Sequence, residues 1–337
     1  MDLSTTYLGL TLAHPFMAGA SPLAGTLDSA RRLEDGGAAA LVLHSLFEEQ
    51  VTMESRGTIH HRDPHDSQFA AALAHFPAPD QYALTPGGYL EHIRRLKGAV
   101  RVPVMASLNG TSSEAWLRIA TDIEQAGADA LEINIYDIVS DPAMSAMSVE
   151  TYLRDLVVEL KRTVRIPVAL KLLPYYTSLG NVARRLDEAG VDGLILFNRS
   201  CQLDVNLDTM TIAPVLEPAT QAELRLRLKW ATLLHGRVRA SIAITGGVSV
   251  PDDGVKAVLA GADAVQMVSA VLVKGAAIFR EMRAGLAQFM AQQEFESVNA
   301  MKGLAGFART EDPASFERAN YIRTLQSLVR ARHTPRG

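Results

Sequence analysis

Cysteine is nearly absent from this chain: Cys201 is the only one in 337 residues. No intrachain disulfide can form, and a reducing compartment such as the cytoplasm is expected. No apolar run reaches membrane-spanning length, and no charged-then-apolar leader opens the sequence, so neither a membrane nor a secretory route is expected. Strong charge of one sign is also missing. A formal net charge of −4 gives no electrostatic reason to bind nucleic acid or an anionic membrane. No Gly/Ser/Pro-rich linker divides the sequence, which points to one domain over residues 1–337. In that setting the glycosylation-like triplets at Asn109 and Asn198 read as chance matches.

What is present is a large apolar fraction and an internal repeat. The chain is 48% hydrophobic and 21% charged, enough apolar residues for a large core. The repeat takes two alternating forms. One is a helix end that runs into a strand: Gly36-Gly37-Ala38-Ala39-Ala40-Leu41, Ala126-Gly127-Ala128-Asp129-Ala130-Leu131, Ala189-Gly190-Val191-Asp192-Gly193-Leu194 and Ala260-Gly261-Ala262-Asp263-Ala264-Val265. Its glycine suits the left-handed turn that closes a helix. The other is Val100-Arg101-Val102-Pro103-Val104, echoed by Val164-Arg165-Ile166-Pro167-Val168 and more loosely by Val238-Arg239-Ala240-Ser241-Ile242, with His14-Pro15-Phe16-Met17 as a divergent first copy. Proline is tolerated where a strand begins, because no ladder hydrogen bond is lost there.

Interleaved, the two forms predict strands near 16–18, 40–43, 103–108, 130–135, 167–172, 193–197, 241–245 and 264–267. Amphipathic helical stretches fall between them, among them 26–35, 86–99, 113–126, 148–163, 179–189, 221–235 and 252–260. The fold class is therefore α/β, a (β/α)8 TIM barrel over about 14–284, with a helical C-terminal extension over about 285–337. A doubly wound open sheet is the alternative, but its usual five or six strands leave two copies over. The loops 44–85 and 198–220 are longer than such units need and are expected on the catalytic face.

One stretch reads as a buried strand that carries too much polarity: "LEINIYDIVSDP", residues 131–142. In a barrel, alternate side chains point to the axis and to the helices. Leu131, Ile133 and Ile135 then face the helices, and Glu132, Asn134 and Tyr136 line the interior. The same parity puts Lys171 inside the next strand, beside Asn134 or Glu132. Other strands offer His44, Ser107, Asn109, Asn198, Thr245 and Gln266. A buried lysine is rare unless paired, so Lys171 is either a functional cation or half of a structural ion pair with Glu132. Tyr136 and Asp137 come next, at the mouth of the barrel, where an aspartate often orders a loop through local hydrogen bonds.

The seventh strand runs into Thr245-Gly246-Gly247, and the eighth into Ser269 at a helix start. Glycines let a backbone approach a ligand, and the loops after strands seven and eight form the recurrent phosphate site of such barrels. His60, His61 and His65 lie in the first long loop, but no carboxylate or cysteine completes a ligand set, so no metal is expected.

"HPFMAGASP", "PVMASLNG", "ALEINIYDIVSDP", "IPVALKLLP", "LILFNR" and "ITGGV…GADAVQMVSA" together resemble the FMN-dependent dihydroorotate dehydrogenases, and more closely a divergent dihydroorotate dehydrogenase-like branch. The resemblance runs from about Leu8 to Gly275. It implies FMN at the top of the barrel, with its phosphate on Gly246, Gly247 and Ser269 and its ring near Asn134 and Lys171. Ala18, Ala20, His44 and Ser45 complete the implied cofactor contacts, while Asn109 and Asn198 face the substrate.

The sequence also departs from that family. There, "LNLSCPN" or its serine equivalent follows strand four, and the Cys or Ser takes a proton from substrate carbon. Aligning Asn134 with the first asparagine puts Asp137 at the base position and Val139 at the second asparagine. The family's lysine after strand two is His44 here, and the glycine before the strand-eight hydroxyl is Val268.

The expected activity is an FMN-dependent oxidation of dihydroorotate or a related dihydropyrimidine. Asp137 or Tyr136 handles the proton, and Lys171 offsets charge on the reduced flavin. Electrons would leave through a diffusible acceptor or a partner electron-transfer chain, because one cysteine cannot ligate an iron–sulfur cluster. A homodimer is what the resemblance suggests. A non-redox phosphate-binding lyase or isomerase using Lys171, and a flavin-binding subunit of a larger electron-transfer assembly, are the competing readings.

Overall fold

The computed structural model describes residues 1–51, 84–110, 113–136, 138–199, 201–215, 217–307 and 312–333. It opens with an antiparallel hairpin, β1 (Thr5–Tyr7) and β2 (Leu10–Leu12). Strand β3 (Phe16–Ala18) leads through α1 (Leu27–Asp35) to β4 (Leu41–Phe47), and α2 (Pro86–Lys97) to β5 (Val104–Gly110). Then come α3 (Ser113–Gln125), β6 (Ala130–Ile135), α4 (Ala146–Thr163), β7 (Val168–Leu172), α5 (Leu179–Glu188) and β8 (Gly193–Leu196). A second hairpin, β9 (Gln202–Asn206) and β10 (Thr211–Val215), precedes α6 (Gln221–Leu234) and β11 (Ser241–Thr245). The chain continues through α7 (Pro251–Leu259), β12 (Ala264–Met267), α8 (Ser269–Lys274), α9 (Ile278–Gln292), α10 (Val298–Met301) and α11 (Pro313–His333).

Strands β3, β4, β5, β6, β7, β8, β11 and β12 close into one parallel barrel in that order, as the repeat predicted. Neither hairpin was predicted; both lie outside the barrel sheet, and β9–β10 falls within the long loop expected at 198–220.

The repeats are structural devices. Gly37, Gly127, Gly190 and Gly261 all take positive φ, between 93° and 104°, where their helices end. Two residues after three of these glycines stands an aspartate that clamps the start of a neighbouring strand. The Asp129, Asp192 and Asp263 carboxylates accept the N–H groups of Val104, Val168 and Ile242 at 2.7, 2.7 and 2.8 Å. Each also meets a lysine, Lys97, Lys161 or Lys302, at 2.6 Å. The second repeat is held the same way, each time from the helix before the preceding one. Glu34 accepts from Arg101 and Val102, Glu124 from Arg165 and Ile166, and Asp187 from Arg239 and Ala240.

The core has two compartments. Outside the strands, Leu131, Ile133 and Ile135 pack with the helices in the larger cluster. Inside the barrel floor, Met17, Val42, Met105, Ala130, Ala169, Ile195, Ala243 and Ala264 pack around Tyr7, Leu8 and Leu12 of the first hairpin, which plug the barrel from below. The small alanines leave the room that Tyr7 fills. Gly193 is required at this seat, since a Cβ there would lie 2.4 Å from the Leu8 side chain.

Strand β4 carries a bulge: its register to β5 shifts between Val42 and Ser45. Tyr89 of α2 repairs the ladder at that point. Its hydroxyl accepts the Ser107 N–H at 2.9 Å and donates to the Ser107 carbonyl at 3.2 Å.

The C-terminal helices behave unequally. Leu286 and Met290 of α9 and Val298 and Met301 of α10 are buried against the barrel's helix layer. In contrast, α11 leaves Phe316, Tyr321, Ile322 and Leu325 exposed and touches the body through the Lys229–Glu317 ion pair and the Phe307–Phe316 ring contact. Among the described residues no helix is long and apolar enough to cross a membrane.

Two expectations follow for stability. His14 is buried with both ring nitrogens engaged: Nδ1 accepts the Phe16 N–H at 3.2 Å, and Nε2–H then donates to the Gly37 carbonyl at 2.8 Å. Burial pulls its imidazole down to about 4, whereas the unfolded chain's imidazole titrates near ~6.5. Between those values the unfolded state binds a proton that the native state refuses, so stability falls as pH drops through that window. Urea midpoints should therefore decline less with acid in His14→Asn than in the native chain; equal slopes would refute the assignment. Tyr89→Phe removes both hydroxyl bonds at the bulge and should cost about 1–3 kcal/mol. An unchanged unfolding midpoint would show that the bulge needs no such repair.

Candidate active site

Above the apolar floor the barrel interior turns polar. The parity read from residues 131–135 holds, because Glu132 and Asn134 point to the axis and the intervening residues to the helices. Lys171 sits beside Asn134 in register, and its Nζ donates to Glu132 Oε1 at 3.2 Å, with side-chain exposures of 8% and 2%. The other carboxylate oxygen of Glu132 accepts from Gln266 Nε2 at 2.7 Å. Thus both readings of Lys171 meet in one place, since it is half of a buried ion pair and also part of the lining. The pair is not a source of net stability by itself, because desolvation offsets most of its attraction.

A second chain of bonds crosses the neighbouring strands. Asn134 Nδ2 donates to Ser45 Oγ at 3.1 Å, and Ser45 Oγ lies 2.8 Å from Ser107 Oγ. Asn134 Oδ1 and Gln266 Oε1 are buried and have no partner among the described residues. Buried polar atoms are nearly always bonded, so these two mark places where a ligand group would be satisfied.

The bulge changes the lining on β4. It brings Ser45 into line with Ser107 and Asn134, whereas His44 lies edge-on to Tyr89, ring centroids 5.4 Å apart, with Nδ1 unpartnered among the described residues. Strict alternation puts His44 inside; with the extra residue of the bulge it is Ser45 that stands beside Ser107. Burial lowers the His44 imidazole below its usual range, with nearby His92 adding to the fall, so the ring is neutral at pH 7. On β3 the Ala18 side chain packs in the helix-side core, while Ala20 borders the interior cluster. Any contact from Ala18 to a ligand in the barrel therefore comes from its backbone.

At the mouth, Asn109 is half-buried and in register with Asn134. Asn198 follows β8; its Nδ2 donates to the Ile135 carbonyl at 3.4 Å and its Oδ1 accepts the Arg199 N–H at 2.9 Å. The Tyr136 hydroxyl accepts the Cys201 N–H at 2.7 Å, which ties the end of β6 to the loop after β8. Asp137 lies outside the described residues, as do His60, His61 and His65. Among the described residues no group of three metal-ligating side chains comes together.

The turn after β11 has the form expected of an anion seat. Gly246 and Gly247 take φ of 87° and 83°, which only glycine adopts freely. A Cβ on Gly247 would also lie 2.7 Å from the Leu224 amide nitrogen of α6. No acceptor among the described residues takes the N–H groups of Gly246, Gly247 or Val248. Ser269 Oγ faces the same corner and accepts the Ala219 N–H at 3.1 Å, leaving its own proton to give. Sequence reasoning found this turn but passed over Tyr89 and Arg227, both on helices whose apolar periodicity hides what their polar ends reach.

A separate cavity of about 740 Å³ lies beside the mouth, with Trp116, Ile135, Leu153, Tyr175, Tyr176 and Cys201 in its walls. It uses the helix-facing Ile135, and none of Lys171, Asn134, Gly246 or Ser269 borders it. Size alone does not make an active site; converging polar groups do, and those are in the barrel.

The dihydroorotate dehydrogenase family model matches residues 87–290. Among curated proteins, the catalytic subunit of dihydroorotate dehydrogenase B (NAD(+)) of Thermoplasma volcanium is 26% identical over 318 residues, covering 90% of this chain and 98% of that protein. The corresponding subunit of Methanothermobacter thermautotrophicus is 28% identical over 312 residues, with 90% and 98% covered. The NAD-dependent dihydropyrimidine dehydrogenase subunit PreA of Escherichia coli is 26% identical over 326 residues, with 90% and 77% covered. The family match runs from α2 into α9 and includes Glu132, Asn134, Lys171, Gln266 and the Gly246–Gly247 turn; the chain belongs to the dihydroorotate dehydrogenase family.

Proposed function

We propose that this protein is an FMN-dependent dehydrogenase of a dihydropyrimidine-type ring, with dihydroorotate as the reference substrate. One observation carries the reading. A lysine held on a buried glutamate, and two buried amide oxygens without a partner among the described residues, line the barrel interior, and a double-glycine turn whose N–H groups meet no acceptor among those residues lies at the barrel's top. These residues fit a flavin mononucleotide. Gly246, Gly247 and Ser269 would hold the phosphate. Asn134 and Lys171 would face the ring, with Ala18, Ala20, His44 and Ser45 on the same side. Asn109 and Asn198 would address the substrate.

Bound FMN supplies the hydride acceptor for a substrate C–H bond. The chain's own part is to orient the substrate through its asparagine amides and to take up the proton leaving the adjacent carbon as the double bond forms. Asp137 is the proposed acceptor of that proton. Tyr136, whose hydroxyl oxygen already accepts the Cys201 N–H, is the runner-up. Lys171 places a fixed positive charge at the lining, and Glu132 keeps that charge affordable in a dry site. Electrons leave to a diffusible acceptor or to a partner chain. The second is favoured by the relatives' names, which describe catalytic subunits. A cytoplasmic, single-domain homodimer completes the proposal.

A second reading of the substrate has its own support. Lys171 is matched by Glu132, and His44 is neutral, so the described lining holds no spare cation for a substrate carboxylate. That favours a ring without a carboxylate, such as dihydrouracil, over dihydroorotate.

The purified protein should show the visible absorption bands of oxidised flavin, and anaerobic addition of dihydroorotate or dihydrouracil should bleach them. Bleaching by dihydrouracil alone would select the second substrate reading. Absence of flavin bands after incubation with FMN would overturn the redox reading in favour of a lyase or isomerase. Flavin that neither compound reduces would leave a flavin-binding subunit without this activity.

The ion pair makes a further distinction testable. Lys171→Met strands Glu132 and should cost about 3–5 kcal/mol of stability. Adding Glu132→Gln should restore most of it. If Lys171 serves the reaction, the stable double variant should still reduce flavin about 10²–10³-fold more slowly; a rate equal to the native one would make the pair purely structural.

A further inference from the structure

Arg227 is a buried cation without an anion. The residue is 5% exposed on α6. Its Nε donates to the Thr245 carbonyl at 2.5 Å and its Nη1 to the Glu223 carbonyl at 2.6 Å. Both acceptors are neutral, and among the described residues no carboxylate pairs with it. The nearest candidate is engaged elsewhere: Glu223 Oε1 meets Arg199 Nε at 3.2 Å, and Oε2 accepts the Thr220 N–H at 2.9 Å. Burial pulls the guanidinium below its usual range; Glu223 pushes back and Arg199 adds to the fall. A charge left this way costs several kcal/mol, which a polypeptide rarely tolerates without return.

Its position says what the missing anion is. Nη2 takes no acceptor among the described residues, and it lies 3.0 Å from where a Cβ would stand on Gly246. The guanidinium thus lies against the turn whose three consecutive N–H groups, from Gly246 to Val248, meet no acceptor among the described residues. Ser269 contributes a hydroxyl proton at the same corner. Free amides, a hydroxyl and a planar cation gathered at one turn have the chemistry of a phosphate seat.

We propose that Arg227 supplies the positive charge for the phosphate of the flavin nucleotide and thereby sets the preference for FMN over riboflavin. This rests on the cofactor reading above, and it assigns a role to a residue that the β11 and β12 motifs do not contain. Two bonds to backbone carbonyls explain how the side chain is held. They do not explain why it is charged, since a neutral amide would serve one of them.

The test is a fluorescence titration of the full-length chain, stripped of flavin, with FMN and with riboflavin. Arg227→Gln should weaken FMN binding by about tenfold to a hundredfold, the usual worth of a charge-assisted bond. Riboflavin, which lacks the phosphate, should change by no more than about threefold. Equal weakening of both ligands, or no weakening of FMN, would overturn the proposal and leave Arg227 a tether for the turn. Should Arg227→Gln fail to fold, the native stripped chain decides. Inorganic phosphate should raise its Tm above the value in chloride at the same ionic strength, and equal values would overturn the proposal. A native chain that binds neither flavin defeats the cofactor reading alone, and the response to phosphate then still judges the anion seat.

Discussion

A closed parallel barrel has no sheet edge, yet each strand still begins with backbone N–H groups that no neighbour reaches. This chain answers with carboxylates. Three aspartates two residues after helix-ending glycines, and three acids from helix C-termini, accept the amides that open β5, β7 and β11. The three aspartates after the glycines do electrostatic and geometric work together, since each also neutralises a lysine and fixes where a strand starts. With strand starts pinned at the floor, parity determines which side chains above reach the axis, except where the β4 bulge resets it. The polar lining depends on that clamp even though no clamp residue touches it.

The lining is a compromise between desolvation and use. Glu132, Lys171 and Gln266 form a nearly sealed set, while Asn134 and Gln266 each keep one oxygen unsatisfied. A stable scaffold would not leave those oxygens bare. Sites that must bind something often carry such debts locally and recover them from a large core elsewhere.

The barrel and its strand bounds were legible in the sequence because the repeat is local: a glycine, an alternation and a proline at fixed offsets. Lys171 and Glu132 were legible together for the same reason, since parity alone puts them on one face. What failed was anything that needs two segments to meet. The bulge between Val42 and Ser45, met by Tyr89 from a distant helix, sets Ser45 beside Ser107, a pairing that alternation alone does not foresee. Arg227 sits on a helix whose pattern gives no hint that its head reaches Thr245. The expected proton acceptor, Asp137, rests on sequence position and falls outside the described residues.

The plug beneath the barrel has a consequence for the order of assembly. Thr5 Oγ1 donates to the Asp263 carbonyl, and the Leu8 N–H to Ser241 Oγ, contacts that span 258 and 233 residues of sequence. Closing loops of that length brings no return until β11 and β12 have formed. The first hairpin can pair with itself early, but its contacts with the last barrel strands are among the last to form. Until they do, the alanine-lined floor stays open to water, and the barrel is a tube rather than a cup. Sealing it is a late, non-local step of the kind that slows folding, and it joins the two ends of the sequence in one cooperative unit.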